Sequence, residues 1–283
     1  MSKGNKVLQA VVSQIIERCE EKGITPWQAP YSLRQSPMNL EYKNAYTGIN
    51  RWATSLSGFN SPYWVSFSQV QKLGGKIKKG QKHTKIVKMA LIEKKRENAK
   101  GEQEVYARWV QPVRYYKMWN IEQTEGIEVE DFVQTEFEPI ESCENVLVNC
   151  QDKPTILYDG SEPQYDQDND QIRMPKQASF KTKESFYNAL FHELAHSTGH
   201  EKRLNRRTLV QVGEYGTKTY SKEELVAELT SAMLSSHCGI LEKTINSSTS
   251  YVKGWLDTLK ANPRMLLSSA GLAEKAFKYI VES

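Results

Sequence analysis

Apolar residues in the front half of the chain recur first with the spacing of a helix and then with that of strands. Residues 6–22 place valine and isoleucine at helical intervals, which predicts a helix that ends at Gly23. Residues 62–72 allow an initial strand but favour a short helix. The segments 84–92 and 104–119 are rich in β-branched and aromatic side chains and flank a charged turn, so they predict a long hairpin.

The second half of the chain changes to short strands followed by helices. Residues 156–158 and 171–174 predict strands, and the segment between them is rich in Asp, Asn and Gly. Four helical patterns follow, and the first three are stopped by a glycine or a proline; they cover about 182–197, 221–237, 250–262 and 270–280. This order of elements predicts an α+β fold class.

Charge divides the chain near residue 125. Residues 1–125 carry 21 Lys and Arg against 10 Asp and Glu, whereas 126–170 carry one Lys and 13 acids. We therefore expect a basic first domain over 1–125, an acidic linker over 126–150 and a second domain over 151–283. A basic domain attracts polyanions, although chance patchiness on two domain surfaces would give the same counts.

Composition excludes several classes of protein. No run of apolar residues approaches the length of a membrane span, so no membrane partner is expected. The N-terminus lacks the apolar run and cleavage site of a signal peptide. The four cysteines are scattered, which argues against a disulfide scaffold and favours a cytoplasmic location.

A metal-binding pattern lies in the helix predicted at 182–197. His192 and His196 are four residues apart, so on a helix they share a face and can chelate one ion. Glu193 lies beside them, where a base for the reaction of coordinated water must be. Zinc in a hydrolytic site has three protein ligands, although Mn²⁺ or another divalent ion would accept the same groups. The alternative is a surface pair of histidines that flank an acid.

The third ligand is expected from a later helix. His200 lies just past the helix stop, whereas the extended pattern needs a histidine at the position of Lys202. We therefore assign Glu224 as the ligand, with Glu228 one turn on as the acceptor of a ligand histidine's other N–H. Glu224 could instead complete a capping box with the serine that begins its helix. Glu223 is expected to point away from the metal.

Several segments together resemble the ArdC-type antirestriction proteins. FHELAHSTGHEKRLNR, YSKEELVAELTSAML and SYVKGWLDTLKANPR resemble the metallopeptidase domain of that family. Four earlier segments resemble the N-terminal single-stranded-DNA-binding domain of these proteins: PWQAPY, YTGINRW, YWVSFSQVQKLGGKIKKGQK and YYKMWNIEQTEG. The resemblance implies an α+β nucleic-acid-binding domain followed by a zincin-like domain, in which a small sheet accompanies the HExxH helix.

The resemblance also implies a biological setting and a shape for the cleft. Proteins of this family are plasmid- or phage-borne, bind single-stranded DNA and shield incoming DNA from restriction. The stretch QIRMP is similar to the short edge strand that lines the cleft and pairs with extended substrate, whereas SEPQYDQDND departs from the family pattern. A protein substrate, such as a component of a restriction system, is the partner implied for the metal site.

Lysines and aromatic residues in the first domain support a nucleic-acid partner independently. Seven lysines and no acid lie between Lys72 and Lys88, and five of the six tryptophans precede residue 120. Lysines neutralise phosphates and aromatic rings stack on unpaired bases, although a basic surface over an aromatic core has the same composition. The expected phosphate contacts are Arg51, Lys76, Lys78, Lys79, Lys82 and Arg114, and the expected stacking residues are Trp52 and Tyr115.

Three functions are compatible with these patterns. The first is a zinc hydrolase, a metallopeptidase of the HExxH-plus-Glu class, held on single-stranded DNA by its front domain. The second is a protein that protects single-stranded DNA by occupancy and keeps a structural or vestigial zinc site. The third is an inhibitor that binds a restriction enzyme through the acidic stretch 126–170.

Overall fold

Helices and strands are mixed along the whole chain, which confirms the α+β class. The computed structural model describes residues 3–28, 36–97, 103–129, 139–150, 152–206, 209, 221–241 and 249–282. Within these ranges no helix combines the length and the apolar character needed to span a bilayer.

The first part of the chain consists of a long helix and a mixed sheet. Its helices are α1 (Lys3–Lys22), α2 (Ile49–Ser55) and α3 (Phe67–Lys72). Its strands are β1 (Met38–Asn39), β2 (Tyr63–Ser66), β3 (Lys76–Ile77), β4 (Thr84–Glu97), β5 (Gln103–Asn120) and β6 (Thr124–Glu125). One sheet has the order β1-β2-β5-β4, and β3 pairs with β6. The predicted hairpin is confirmed as β4 and β5, which are antiparallel and longer than expected.

Residues 62–72 form a strand and then a helix, rather than a helix alone. Strand β2 pairs with β5, so that Val65 lies opposite Trp119. Ser66 ends the strand and caps α3, because its hydroxyl accepts the N–H of Gln69 while the Gln69 side chain accepts the N–H of Ser66. This capping box starts a helix directly after a strand.

The second part of the chain has a small sheet and five helices among the described residues. The strands are β7 (Thr155–Leu157), β8 (Gln164–Asp166) and β9 (Gln171–Arg173). The helices are α4 (Pro139–Asn149), α5 (Lys183–Ser197), α6 (Lys222–His237), α7 (Thr249–Ala261) and α8 (Pro263–Val281). Helix α8 begins well before the expected residue 270, because its proline occupies the first turn, where the missing N–H costs nothing.

The strand in QIRMP is not the edge strand that the resemblance implies. Strand β9 lies in the middle of its sheet, parallel to β7 and antiparallel to β8. The edge strands are β7 and β8, and the one that borders the cleft is β8, which lies in SEPQYDQDND, the segment that departs from the family pattern. Three residues are too short for an alternating hydrophobic signal, so the sequence pattern did not identify this strand.

Part of the expected linker over 126–150 is instead a structural helix. Residues 139–149 form α4, and Cys143, Val146 and Cys150 are buried in a core with Phe191 of α5. Acidic residues occupy the exposed face of this amphipathic helix. Because the linker was inferred from the number of acids alone, the apolar face of the helix was overlooked. The second structural unit therefore includes α4.

The two halves of the chain share one hydrophobic core. Val11 and Ile15 of α1 pack in the same cluster as Leu225 of α6 and Trp255 of α7. Just after α1, the ring of Trp27 meets that of Trp255 edge to face at 5.1 Å between centroids. A second core lies between α4, α5 and the small sheet. The N-terminal helix thus packs directly on the helices of the second half.

Candidate metal centre

Helix α5 is held by a cap at its start and by a buried face along its length. The Thr182 hydroxyl accepts the N–H of Ser185 at 3.1 Å, which satisfies one of the free donors of the first turn. Phe186, Leu190 and Leu194 are almost fully buried in the second core, as their helical spacing predicts. Burial of this face turns the opposite face of α5 toward a cleft.

The structure brings together the three side chains assigned as metal ligands. One ligand atom from each of His192, His196 and Glu224 lies within 4.8 Å of the others. The two Nε2 atoms are 3.1 Å apart, and the Glu224 oxygens lie 3.4 Å from Nε2 of His192 and 3.5 Å from Nε2 of His196. Ligand atoms at about 2.0–2.1 Å from a tetrahedral ion are roughly 3.4 Å apart. These donors therefore fit one small divalent cation.

The electrostatics of the site favour a cation. Burial alone would lower the pKa of His192, but the hydrogen bond to Glu224 and the nearby carboxylates of Glu228 and Glu193 outweigh it and raise the pKa to about 9. Three acids around one pair of imidazoles concentrate negative charge in a partly buried place. A bound cation compensates that charge, as paired or coordinated buried charges require.

Glu193 faces the cleft from beside the histidines, as expected of a base. Its carboxylate is buried and accepts the backbone N–H of Tyr165, the central residue of β8, at 2.7 Å. This N–H points into the cleft and not toward β9. The cleft has a volume of about 600 Å³ and is lined by β8, the histidine pair and the start of α6. Strand β8 and Glu193 thus form one wall of a space large enough for a peptide segment.

The side chain of Glu224 has only one of the two roles that the sequence left open, since it faces the histidines and does not complete a capping box. Glu224 stands at the third position of α6, where its backbone N–H donates to the hydroxyl of Ser221 at 3.1 Å. The cap therefore uses the backbone of Glu224, and its side chain remains directed at the histidines. The expected competition between capping and ligation does not arise.

The acid next to the ligand histidine is Glu223, not Glu228. Glu228 accepts the hydroxyl of Tyr251. Glu223, expected to point away, is 3% exposed and places Oε1 at 3.5 Å from Nδ1 of His196. Burial alone would raise the pKa of Glu223, but His196 and the guanidinium of Arg206 outweigh it and lower the pKa to about 2. Arg206 had no sequence signal, because its role depends on a loop after α5.

His200 is outside the ligand cluster, in agreement with the assignment of Glu224. It is buried just beyond the end of α5, and its Nδ1 accepts the backbone N–H of Lys202 at 3.2 Å. That contact holds the turn after the helix.

Two of the residues expected to contact DNA are structural instead. Trp52 is completely buried in the shared core, so its faces are closed to a base. Arg51 is 14% exposed and forms an ion pair at 2.8 Å with Glu274 of α8. Both sit on α2, whose short amphipathic pattern gave no indication of which face is covered by the distant helix α8.

The other expected DNA contacts lie at the surface. Lys79 and Lys82 are exposed, Lys76 pairs with Glu125 at 3.0 Å, and Lys78 donates to the carbonyl of Glu122 at 2.8 Å. Arg114 is exposed, with its guanidinium over the ring of Tyr116, and Tyr115 is 38% exposed. The structure leaves these six side chains available to a ligand.

An aromatic and basic stripe crosses the sheet in this region. Tyr115, Lys117 and Trp119 alternate along β5 and share one face. The Trp119 ring lies 6.4 Å from that of Phe67, which is 53% exposed, and 5.7 Å from that of His83. Lys85 lies opposite Lys117 and places Nζ 5.8 Å from the ring of Tyr115. The sequence did not single out Phe67 as a stacking residue, because strand β2 and helix α3 were not separated.

Two family models together match most of the chain. Residues 5–120 match the N-terminal domain of the anti-restriction factor ArdC, and residues 143–272 match a zincin-like metallopeptidase. The second match begins within α4, in agreement with the packing of that helix into the second core.

Three curated relatives align with nearly the whole of this chain. The protein y4eC of Sinorhizobium fredii is 26% identical over 283 residues, which cover 95% of this chain and 89% of the relative. Two DNA primases named TraC from Escherichia coli are each 26% identical over 290 residues. Those alignments cover 96% of this chain but only 27% and 20% of the primases.

Solved structures extend the similarity to the fold. The metal-free crystal structure of the antirestriction protein ArdC from plasmid R388 has a TM-score of 0.71 at 28% identity, and covers 98% of this chain and 97% of the other. Its Mn(II)-bound structure has a TM-score of 0.68 at 26% identity with the same coverage. The chain therefore belongs to the ArdC-type antirestriction family, with an ArdC N-terminal domain followed by a zincin-like metallopeptidase domain.

Proposed function

We propose that this protein is a DNA-bound metallopeptidase that protects incoming DNA from restriction. The observation that carries the proposal is the convergence of His192, His196 and Glu224 beside Glu193, in a cleft bordered by the outer edge of β8. A divalent ion held there would polarise a peptide carbonyl as a Lewis acid. Zinc suits two imidazoles and a carboxylate, and the Mn(II)-bound ArdC structure makes Mn²⁺ an alternative.

The protein's own groups supply orientation and proton transfer. An extended peptide pairs with the outer edge of β8, where the backbone of Tyr165 faces the cleft. Glu193 accepts a proton from the attacking water and returns it to the leaving amine. Because Tyr165 donates its N–H to Glu193, peptide that pairs with β8 also competes for this contact.

Replacement of Glu193 by Gln tests this function. Glu193→Gln keeps the size and the hydrogen-bond acceptor but cannot take up a proton, so hydrolysis of an unfolded protein such as casein should fall by at least about 100-fold. Bound metal, measured by elemental analysis, should match that of the wild type. Glu201→Gln, an exposed acid beyond the helix, is the control. Hydrolysis by Glu193→Gln at the wild-type rate would remove Glu193 from the reaction.

The N-terminal domain binds single-stranded DNA through the aromatic and basic stripe. Phe67 and Trp119 offer ring faces, while Lys85 and Lys117 lie within the same strip of surface. Aromatic faces accept any unpaired base and lysines neutralise phosphates, which requires no sequence code. Lys76, Lys78, Lys79 and Lys82 are further exposed cations of the same domain, whereas Arg114 is exposed on the face of β5 opposite to Tyr115.

Substitutions on the stripe test this partner. Phe67→Ala should weaken binding of a fluorescent oligothymidylate by about 1–3 kcal/mol, the usual contribution of one stacked base. Tyr106→Ala removes a similarly exposed ring at the far end of the hairpin and should leave the affinity unchanged. Equal losses for the two variants would show that the stripe is not the binding surface.

Occupancy without hydrolysis is the second candidate function, because the chain carries the DNA stripe independently of the metal centre. In that case Glu193→Gln protects transferred DNA as well as the wild type does. Neutralisation of Lys76, Lys78 and Lys79 together abolishes protection in either case. The Glu193 variant, scored for DNA survival in a restricting host, therefore separates the two functions.

A further inference from the structure

We propose that Arg206 and Glu223 form a buried clamp that sets the distance between the two metal-bearing helices, and that both are positioning residues for metal binding. This inference rests on the proposed metal centre. The clamp joins the end of α5, which carries the histidines, to the beginning of α6, which carries Glu224.

Arg206 holds the C-terminal end of α5. Its Nη2 donates to the carbonyl of Ala195 at 2.8 Å, and Nη1 donates to the hydroxyl of Thr198. The last carbonyls of a helix lack partners within the helix and carry partial negative charge, so a guanidinium satisfies both requirements. Ala195 directly precedes His196, and its fixed carbonyl fixes the backbone that carries this ligand.

The same guanidinium holds the N-terminal end of α6. Its Nε donates to Oε2 of Glu223 at 3.2 Å, and Nη2 donates to Oε1. Both side chains are only 3% exposed, so the pair is closed to water. Glu223 directly precedes Glu224, and its Oε1 lies 3.5 Å from Nδ1 of His196. Glu223 is thus the sequence neighbour of one candidate ligand, Glu224, and its carboxylate lies beside the other, His196.

Gly199 provides the space that the clamp needs. A Cβ at this position would lie 2.9 Å from Nη2 of Arg206 and 3.1 Å from the carbonyl oxygen of His196. The N–H of Arg206 also donates to the carbonyl of Gly199 at 2.9 Å. Residue 199 does not have a positive φ, so its requirement for glycine comes from the close approach of the guanidinium.

Metal affinity measured with conservative variants tests the clamp. Arg206→Lys and Glu223→Gln keep the approximate volume but lose the forked ion pair. In the full-length protein, competition with a chromophoric chelator for Zn²⁺ should show affinity 10–100-fold below that of the wild type, the usual effect of losing a group that orients a ligand. Co²⁺ absorption bands, which report ligand geometry, should shift in both variants.

Arg203→Lys is the matched control. Arg203 is also buried, comes from the same loop, and donates to the carbonyl of Ser197 at 3.0 Å and to Asp170 at 2.8 Å. Among the described residues, Arg203 makes no hydrogen bond to α6. Arg203→Lys should therefore lower the free energy of unfolding, measured by urea unfolding without metal. It should leave the Zn²⁺ affinity and the Co²⁺ spectrum unchanged.

The outcomes separate the clamp from the metal centre. If the wild type binds Zn²⁺ tightly and the Arg206 and Glu223 variants bind it equally well, the clamp is overturned alone. The same holds if Arg203→Lys weakens binding as much as they do. If the wild type binds neither Zn²⁺ nor Mn²⁺, the metal centre and the clamp both fail. Should either variant fail to fold, Gly199→Ala displaces the guanidinium without removing a charge and must weaken Zn²⁺ binding.

Discussion

Trp52 and Phe67 show how exposure separates two aromatic residues of similar chemistry. Trp52 is completely buried beneath α2, whereas Phe67 is 53% exposed at the start of α3. Trp52→Ala should lower the free energy of unfolding by about 3–5 kcal/mol, because it leaves a large cavity. Phe67→Ala should change it by less than about 0.5 kcal/mol, as surface substitutions do.

Urea unfolding measures the predicted stabilities of the Trp52→Ala and Phe67→Ala variants, and DNA titration measures the affinity of each folded variant. Trp52→Ala, where folded, should bind single-stranded DNA with wild-type affinity, because no face of Trp52 reaches the surface. If the Trp52→Ala variant binds DNA more weakly under conditions in which it remains folded, Trp52 contributes to the binding surface and this prediction is wrong.

The candidate ligands were predictable at the residue scale, and the groups that support them were not. His192 and His196 were identified by spacing on one helix, and Glu224 by its place in a later amphipathic pattern. Glu223 and Arg206 depend on the path of the chain after α5, which no periodicity encodes. Ligand spacing is local in sequence, whereas the groups that orient ligands come together only through tertiary packing.

Element boundaries were predictable where the hydrophobic period was long. Helix α5 matches its pattern within one residue, and the β4–β5 hairpin was identified although β4 runs past its expected end, because each spans many residues with one apolar face or one alternation. Strand β8 and helix α4 did not, since the first has three residues and the second lies in an acidic stretch. Both elements border the cleft or its supporting core, so the shape of the site was the least predictable part.

The candidate metal centre joins α5 and α6, so a bound metal should stabilise the folded protein. Because α5 and α6 are also held together by the second core and by direct helix–helix packing, a chelator should leave the protein folded. Zn²⁺ at 100 times its dissociation constant should then stabilise it by about 2.7 kcal/mol through mass action. Thermal unfolding with and without Zn²⁺ measures this as a higher Tm. A Tm that does not change with Zn²⁺ would contradict binding to the folded state.

The whole molecule behaves as one unit because its two family domains share a core. Helix α1 packs against α7 and α8, and Trp27 packs against Trp255. Tyr251 on α7 donates to Glu228, one turn beyond Glu224 on α6. The helix that carries Glu224 is therefore supported by residues of both halves, and a fragment limited to residues 1–125 would expose one side of the shared core.

The ion pair between Arg51 and Glu274 also joins the two halves of the chain. Glu274 of α8 accepts the guanidinium of Arg51 at 2.8 Å and the N–H of Gly48 at 3.4 Å, and both charged side chains are nearly buried. Arg51→Ala leaves this carboxylate without its cation and should destabilise the whole chain by roughly 3 kcal/mol. The exposed pair between Lys260 and Glu20, which also joins the two halves, is the control, and Lys260→Ala should destabilise the chain much less than Arg51→Ala does.

Calorimetry distinguishes a shared core from two tethered domains. Both the wild type and Arg51→Ala should unfold in a single transition, at a lower temperature in the variant, because α1 cannot leave the core without exposing α7 and α8. Two separate transitions, with only one of them shifted by Arg51→Ala, would mean that the halves unfold independently. DNA affinity of the folded variant should equal that of the wild type, since the Arg51 side chain is engaged with α8 and not with the stripe on β5.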